Sequence, residues 1–306
     1  MSEDQDHPAQ RGRTTGVYDD AFEMAMIDAG VFPWQYVDMR NDSKDEPFVP
    51  NNLDAILERL DRSRGETPVS EETFRRFARR NARAHSDMDV FAYVYPVLAG
   101  DVSTIDTAFG IDFDTLEPFY DGIQHASPDI YDGVEPVRIE PCVYADLERY
   151  IILSSQYSVS AAPNHFMEVQ HPEGSPEALR RKATYDGAVG ARAMFELQNY
   201  GRPADDKLYD GNAYTIVALF HASFAVLALY GSHPRRSPSG RTEYYLTQLT
   251  TIAMTGNIAS FRQAIRALRN ARDLNKEQRE AFVRHANGVA RSIYPASSWS
   301  RSSWVL

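Results

Sequence analysis

Asn164-His165-Phe166-Met167-Glu168-Val169-Gln170 reads as a short buried strand that delivers a carboxylate, Glu168, near its end. Turn signals bound it, Ala162-Pro163 before and His171-Pro172-Glu173-Gly174 after. Beyond the second turn, Ser175-Pro176-Glu177 has the form of a helix start, with Ser at the N-cap and Pro at the first helical position. Upstream, Ser127-Pro128-Asp129-Ile130-Tyr131 puts another carboxylate at the opening of an apolar segment. An aspartate at one strand, a glutamate at the next and then a helix is the layout of a divalent-metal phosphodiesterase site. Two carboxylates on neighbouring strands can clamp Mg²⁺, which takes oxygen ligands in tight octahedral geometry. Acidic residues are common, however, and a Glu ending a strand is more often a solvated edge residue or an ion-pair partner. Spacing alone leaves both readings standing.

Longer runs around these residues carry more information. Ala162 to Val169, Lys182 to Met194, Leu197-Gln198-Asn199-Tyr200-Gly201, Tyr209 to Ile216, Gly240 to Leu249 and Arg269-Asn270-Ala271-Arg272-Asp273 together resemble a fungal family of PD-(D/E)xK nuclease-like proteins. The resemblance covers roughly residues 120 to 285. It implies an α/β fold of the restriction-endonuclease-like kind, a mixed sheet flanked by helices. It also implies hydrolysis of nucleic-acid phosphodiesters, DNA and RNA not being distinguished. The alternative is a catalytically degenerate member that keeps the fold as a binding or scaffolding module.

In the resembled fold Asp129 and Glu168 hold a Mg²⁺ or Mn²⁺ ion and the Val169 backbone carbonyl adds a ligand. The third motif residue is normally Lys, which steadies the attacking water and offsets charge on phosphorus. Here that place is Gln170, which can orient water but brings no charge. The following helix departs too, with Arg181-Lys182-Ala183 where the family more often shows Arg-Gln-Ala. Gln170 and Lys182 together read as an exchange of two side chains between strand and helix, with Lys182 restoring the missing charge. The plainer alternative is that Lys182 is a solvated helix residue beside an equally solvated Arg181.

Other polar residues nearby have plainer readings. Tyr185, three residues beyond Lys182, is on the same helical face and either contacts substrate or packs on the sheet. The small residues of Asp186-Gly187-Ala188-Val189-Gly190-Ala191 suit close helix-to-sheet approach better than phosphate binding. His165 and His171 read as turn or edge residues, since a Mg²⁺ site favours carboxylates. Arg75, Arg76, Arg79, Arg80 and Arg83 fall in one helical window, and Arg262, Arg266, Arg269 and Arg272 in another. Each could line a phosphate track; solvated helix faces are the favoured reading of both.

The chain has 306 residues, 43% of them hydrophobic, and a formal net charge of −11. It is long enough for one substantial core, and too acidic to coat nucleic acid indiscriminately. Its single cysteine, Cys142, excludes an intramolecular disulfide and a zinc site made of cysteines. The acidic start, Met1-Ser2-Glu3-Asp4, has neither a secretory signal nor an Arg-rich transit peptide, and an intracellular protein of cytoplasm or nucleus is expected.

The elements that must position the site follow from periodicity. A polar, disordered segment is expected over 1–16, a helical annex over 17–85, the nuclease-like core over 86–292 and a flexible tail over 293–306. Helices are expected at Tyr18–Ala29, Asn52–Leu60, from Ser70, at Asp87–Leu98, Pro176–Tyr200, Ile258–Arg269 and Lys276–Ala290, with a helical or mixed stretch at Tyr144–Leu153. Arg40–Pro50 reads as a loop. Strands are expected at Thr104–Phe113, Asp129–Val134, around Met167-Glu168, at Asn212–Phe220, Phe224–Tyr230 and Tyr244–Thr251. Ala213 to Gly231 is long and apolar enough to suggest a membrane span, but His221-Ala222-Ser223 interrupts it and each half is strand-sized. A buried hairpin, and no membrane contact, is expected there.

Overall fold

In chain order the strands are β1 (Val31–Phe32), β2 (Thr107–Phe109), β3 (Ile130–Val134), β4 (Ala161–Gln170), β5 (Thr215–His221), β6 (Val226–Arg236) and β7 (Thr242–Ala253). They form one seven-stranded sheet in the order β1-β7-β6-β5-β4-β3-β2. The helices are α1 (Asp20–Asp28), α2 (Leu53–Asp61), α3 (Glu71–Asn81), α4 (Asp87–Asp89), α5 (Tyr95–Ala99), α6 (Pro141–Asp146), α7 (Glu148–Ile151), α8 (Pro176–Gln198) and α9 (Ile258–Ile293). The computed structural model describes residues 14–36, 48–65, 69–100, 106–155 and 159–294.

The sheet is mixed for a reason visible in the connections. Parallel β4 and β5 are joined by α8, the long crossover that parallel neighbours require. Antiparallel β5, β6 and β7 are joined by short turns. Buried on both faces, β4 alternates its side chains between two cores. Met167 and Val169 enter the core under α9, with Phe220, Phe261 and Leu268. Phe166 enters the core under α8, with Val217, Ala183 and Val189. Glu168 and Gln170, two and four residues beyond Phe166, therefore face α8. A third cluster joins the ends of α8 and α9 through Met194, Leu197, Val283 and Ala286.

The small residues of α8 allow this helix to lie close on the sheet. A Cβ on Gly190 would come within 2.7 Å of both the Phe166 ring and Thr215 Cγ2. The expected packing role of this stretch and the structure agree. They agree also for residues 213–231, which hold β5 and the first half of its antiparallel partner β6, and for α1, α2, α3 and α8 to within a few residues. Among the described residues no helix is long and apolar enough to cross a membrane.

Several expectations change. The two closing helices are one helix of 36 residues, because the stretch between them has neither Gly nor Pro, and Asn275 turns inward to donate to the Asn164 carbonyl. The expected strand Thr104–Phe113 shrinks to β2; residues 104 and 105 lie outside the described residues. The expected helix over 87–98 contains a π-helical stretch, Val90–Val94, where the helix absorbs Pro96 and its missing N–H. β1, unforeseen, adds an edge strand from the expected annex, parallel to β7. The expected disordered start (apart from 14–16), most of the Arg40–Pro50 loop and the tail from 295 lie outside the described residues.

Candidate active site

Asp129 sits one residue before β3. The register Ile130↔Met167 puts it across from Glu168. The two segments are tied by reciprocal bonds from backbone to carboxylate. The Asp129 N–H donates to Glu168 Oε1 (2.9 Å), and the Val169 N–H donates to Asp129 Oδ2 (2.9 Å). Both carboxylates are thus oriented by main chain, not by mobile surface partners. The third side chain comes from α8. Ser175 caps this helix by accepting from the Ala178 N–H, and Lys182 follows about two turns in. Its ammonium lies 2.7 Å from Glu168 Oε2 and 3.2 Å from Asp129 Oδ1. Arg181, its neighbour, is no solvated residue either: it is buried and paired with Asp20 and Glu23 of α1.

The electrostatics are severe because Glu168 is wholly buried. Burial first, then the neighbouring Asp186 and Asp129 carboxylates, push the Glu168 carboxyl well above its ordinary range, against the pull of Lys182. For Lys182, burial opposes the charge, but Glu168 and Asp129 outweigh it and hold the ammonium firmly protonated. Asp186 is a participant that the sequence reading assigned only to packing. It lies one turn beyond Lys182, is buried against Glu168 and is pushed up to about 7, mainly by burial. Its Oδ2 has no hydrogen-bond donor among the described residues. The signal available in the sequence was its i, i+4 relation to Lys182.

The donor chemistry fits a hard divalent cation: oxygen ligands, net negative charge and a buried floor. The Val169 carbonyl fits as well. The Gln170 carbonyl accepts from Ala222 on the β5 side, so the preceding carbonyl faces the opposite way, towards Asp129. Among the described residues, however, no group of three or more His, Cys, Asp or Glu side chains is arranged to hold a metal. The ammonium of Lys182 supplies the counter-charge between the two carboxylates instead. The residues that could hold a cation beside it are Asp129, Glu168 and the Val169 carbonyl.

No protein-family model, curated protein or solved structure matches the chain.

The remaining sequence candidates are placed as follows. Gln170 is on the site's face, but its amide lies over Gly174, where a Cβ would be 1.4 Å from Nε2. Among the described residues no hydrogen bond ties it to Asp129, Glu168 or Lys182. Tyr185 packs, edge-on to Phe22 and Phe119. His171 donates from its backbone N–H (2.8 Å) and its Nδ1 (2.9 Å) to Asp87 Oδ1, as a residue just past a strand end would. His165, expected at a turn or edge, is buried mid-strand on the other face of the sheet, where burial depresses it to about 3. That face holds a separate polar cluster, in which Asp132 pairs with Arg272 and accepts from Thr107. The arginine window on α9 is accordingly not a solvated face. Arg262 donates to the Val69 carbonyl, Arg266 pairs with Asp61, Arg269 donates to the Leu98 carbonyl and Arg272 pairs with Asp132.

Proposed function

We propose that the chain is a metal-dependent nuclease-like protein of the PD-(D/E)xK kind, similar to the fungal family its sequence resembles, which hydrolyses nucleic-acid phosphodiesters inside the cell. The observation that carries this reading is the Lys182 ammonium within 3.2 Å of two carboxylates from adjoining strand ends, one wholly buried. A helix-borne lysine at that point supplies the charge that Gln170 lacks. A bound Mg²⁺ or Mn²⁺ would polarise the phosphoryl oxygen and acidify a water. Asp129 and Glu168 would orient that ion, with the Val169 carbonyl. Lys182, held protonated, acts as an electrostatic stabiliser and a donor to the attacking water, not as a base. Asp186, near neutrality in its titration, holds or releases a proton beside Glu168.

A second reading has its own support. The ammonium already offsets part of the charge of the carboxylate pair, as it would in a degenerate member kept for binding or scaffolding. Incubation of the protein with single- and double-stranded DNA and RNA, with and without Mn²⁺, separates the two. Active protein should cleave at least one of these, with Lys182→Ala about 10²-fold slower and Glu168→Ala inactive. Absence of both cleavage and Mn²⁺ binding by calorimetry would favour the degenerate module.

A further inference from the structure

The two arginine windows of the sequence have opposite fates. Those of α9 are consumed inside the molecule, as described above. Those of α3 are not. Arg76, Arg79 and Arg83 are exposed and their side chains make no hydrogen bond or ion pair among the described residues. Arg75 only approaches Glu71, at 3.8 Å. Arg80 lies over the ring of Tyr93, 5.9 Å from its centroid, and Tyr93 is itself 48% exposed. The helix dipole favours cations in the last turn of α3, but it does not account for Arg76 in the middle or Arg83 beyond the end. In a chain of net charge −11, this cluster is out of keeping with the remainder.

Its position matters as much as its charge. Asn81, in the last turn of α3, donates to the Ala222 carbonyl (2.8 Å), and the Ala222 N–H donates to the Gln170 carbonyl (2.9 Å). Gln170 ends the strand that carries Glu168. The basic helix therefore packs, through Phe77, on the face of the sheet under α9 where parallel β4 and β5 end; the Asp129–Glu168–Lys182 site lies at the same end, on the face under α8. The same turn displays Phe224, 68% exposed, its ring 5.2 Å from that of His221. Unpaired guanidinium groups and exposed aromatic rings at one end of the sheet suit one kind of ligand. Phosphates track the charges while unstacked bases lie on the rings.

We infer that Arg76, Arg79, Arg80 and Arg83, with Tyr93 and Phe224, form a docking surface for single-stranded nucleic acid at the end of the sheet where the site lies. The choice of partner rests on the nuclease reading; the surface itself does not.

The experiment is fluorescence anisotropy of the full chain with a labelled oligothymidylate in EDTA, over a series of salt concentrations, so that cleavage plays no part. The fourfold variant Arg76→Ala, Arg79→Ala, Arg80→Ala, Arg83→Ala should bind at least tenfold more weakly, and its slope of log K against log salt should shrink by about 3. Phe224→Ser should weaken binding several-fold with an unchanged slope, as a lost stacking contact does. Unchanged affinity and slope in the fourfold variant would overturn the inference, even if the wild type cleaves DNA. So would wild-type binding to vesicles of phosphatidylcholine and phosphatidylserine but not to the oligonucleotide, lost in the fourfold variant. Oligonucleotide binding that depends on the arginines, in a protein that never cleaves, would uphold the surface and remove the nuclease.

Discussion

Replacing Lys182 by Met, which keeps the length of the stem and removes the charge, tests whether the ammonium carries the two carboxylates. At separations of 2.7 and 3.2 Å and an effective dielectric near 20, the gross attractions are about 6 and about 5 kcal/mol. Burying the ammonium takes back part of this, and removing one partner of a buried pair ordinarily costs about 3–5 kcal/mol. A ceiling comes from titration. Without the lysine, Glu168 can escape by taking up a proton, which at pH 7 costs about 1.36 kcal/mol for each unit above the ordinary Glu value, close to 4 kcal/mol in all. For an ionised Glu168 the expected loss is therefore about 3–4 kcal/mol at pH 7. The sign with pH follows. A carboxyl whose folded pKa is raised binds more protons folded than unfolded, so stability falls as pH rises from the unfolded towards the folded value. At pH 5 the same ceiling is only about 1 kcal/mol. Urea unfolding followed by circular dichroism at both pH values measures this. Under the metal-site reading, Mn²⁺ at a hundred times its dissociation constant should return about 2.7 kcal/mol to the variant. A loss below about 1 kcal/mol at pH 7, or an equal loss at both pH values, would refute the reasoning.

Three further outcomes are expected. Asp186→Asn should be more stable than the wild type by roughly 2–4 kcal/mol at pH 8 and little changed at pH 4, since the wild-type group is pushed up to about 7 and must be charged in a buried place above that; calorimetry across pH reads it. Arg272→Met should cost about 3–5 kcal/mol at pH 7 by stranding buried Asp132. In the wild type, Arg272 outweighs burial and lowers Asp132 to about 2, so its contribution is full above the unfolded value and lost as pH falls towards 2; urea titration of both proteins at pH 7 and pH 3 should show the gap closing. Gly190→Ala should cost about 1–3 kcal/mol by forcing α8 off Phe166 and Thr215, seen as a lower urea midpoint at unchanged slope.

The parts of the fold legible in the sequence are those that physics reads locally. Ser70 and Ser175 announced their helices because a hydroxyl acceptor before a first turn satisfies an otherwise unpaired N–H. The apolar halves of 213–231 announced β5 and β6 through length and an interruption at His221. What local signals missed depended on contacts made far along the chain. Val31–Phe32 is too short to read as a strand and exists because β7 offers it an edge. The continuity of α9 through Asn270–Asn275 depends on inward polar contacts, Asn270 with the Leu60 carbonyl and Asn275 with Asn164. The same distinction divides the arginines. Spacing put both windows on helical faces, but only the tertiary partners decide which face is inside.

The candidate site shows why a motif position and a chemical role can part company. On β4, position 170 shares the face of Glu168, yet its side chain runs over Gly174, where the turn leaves room for it. A lysine there would have the reach but would compete with the turn for the same space. Position 182 has a shorter way in, because Gly187 and Gly190 let α8 lie close to the sheet, so that a stem starting on the helix ends between the carboxylates. That arrangement brings Asp186 with it, one turn on along the same face. The charge balance of the site is then set by the helix as a unit, one cation and one titratable carboxyl against two strand carboxylates. Moving α8 outward should therefore disturb the titration of Glu168 and the pairing of Lys182 together, even with no charged residue changed.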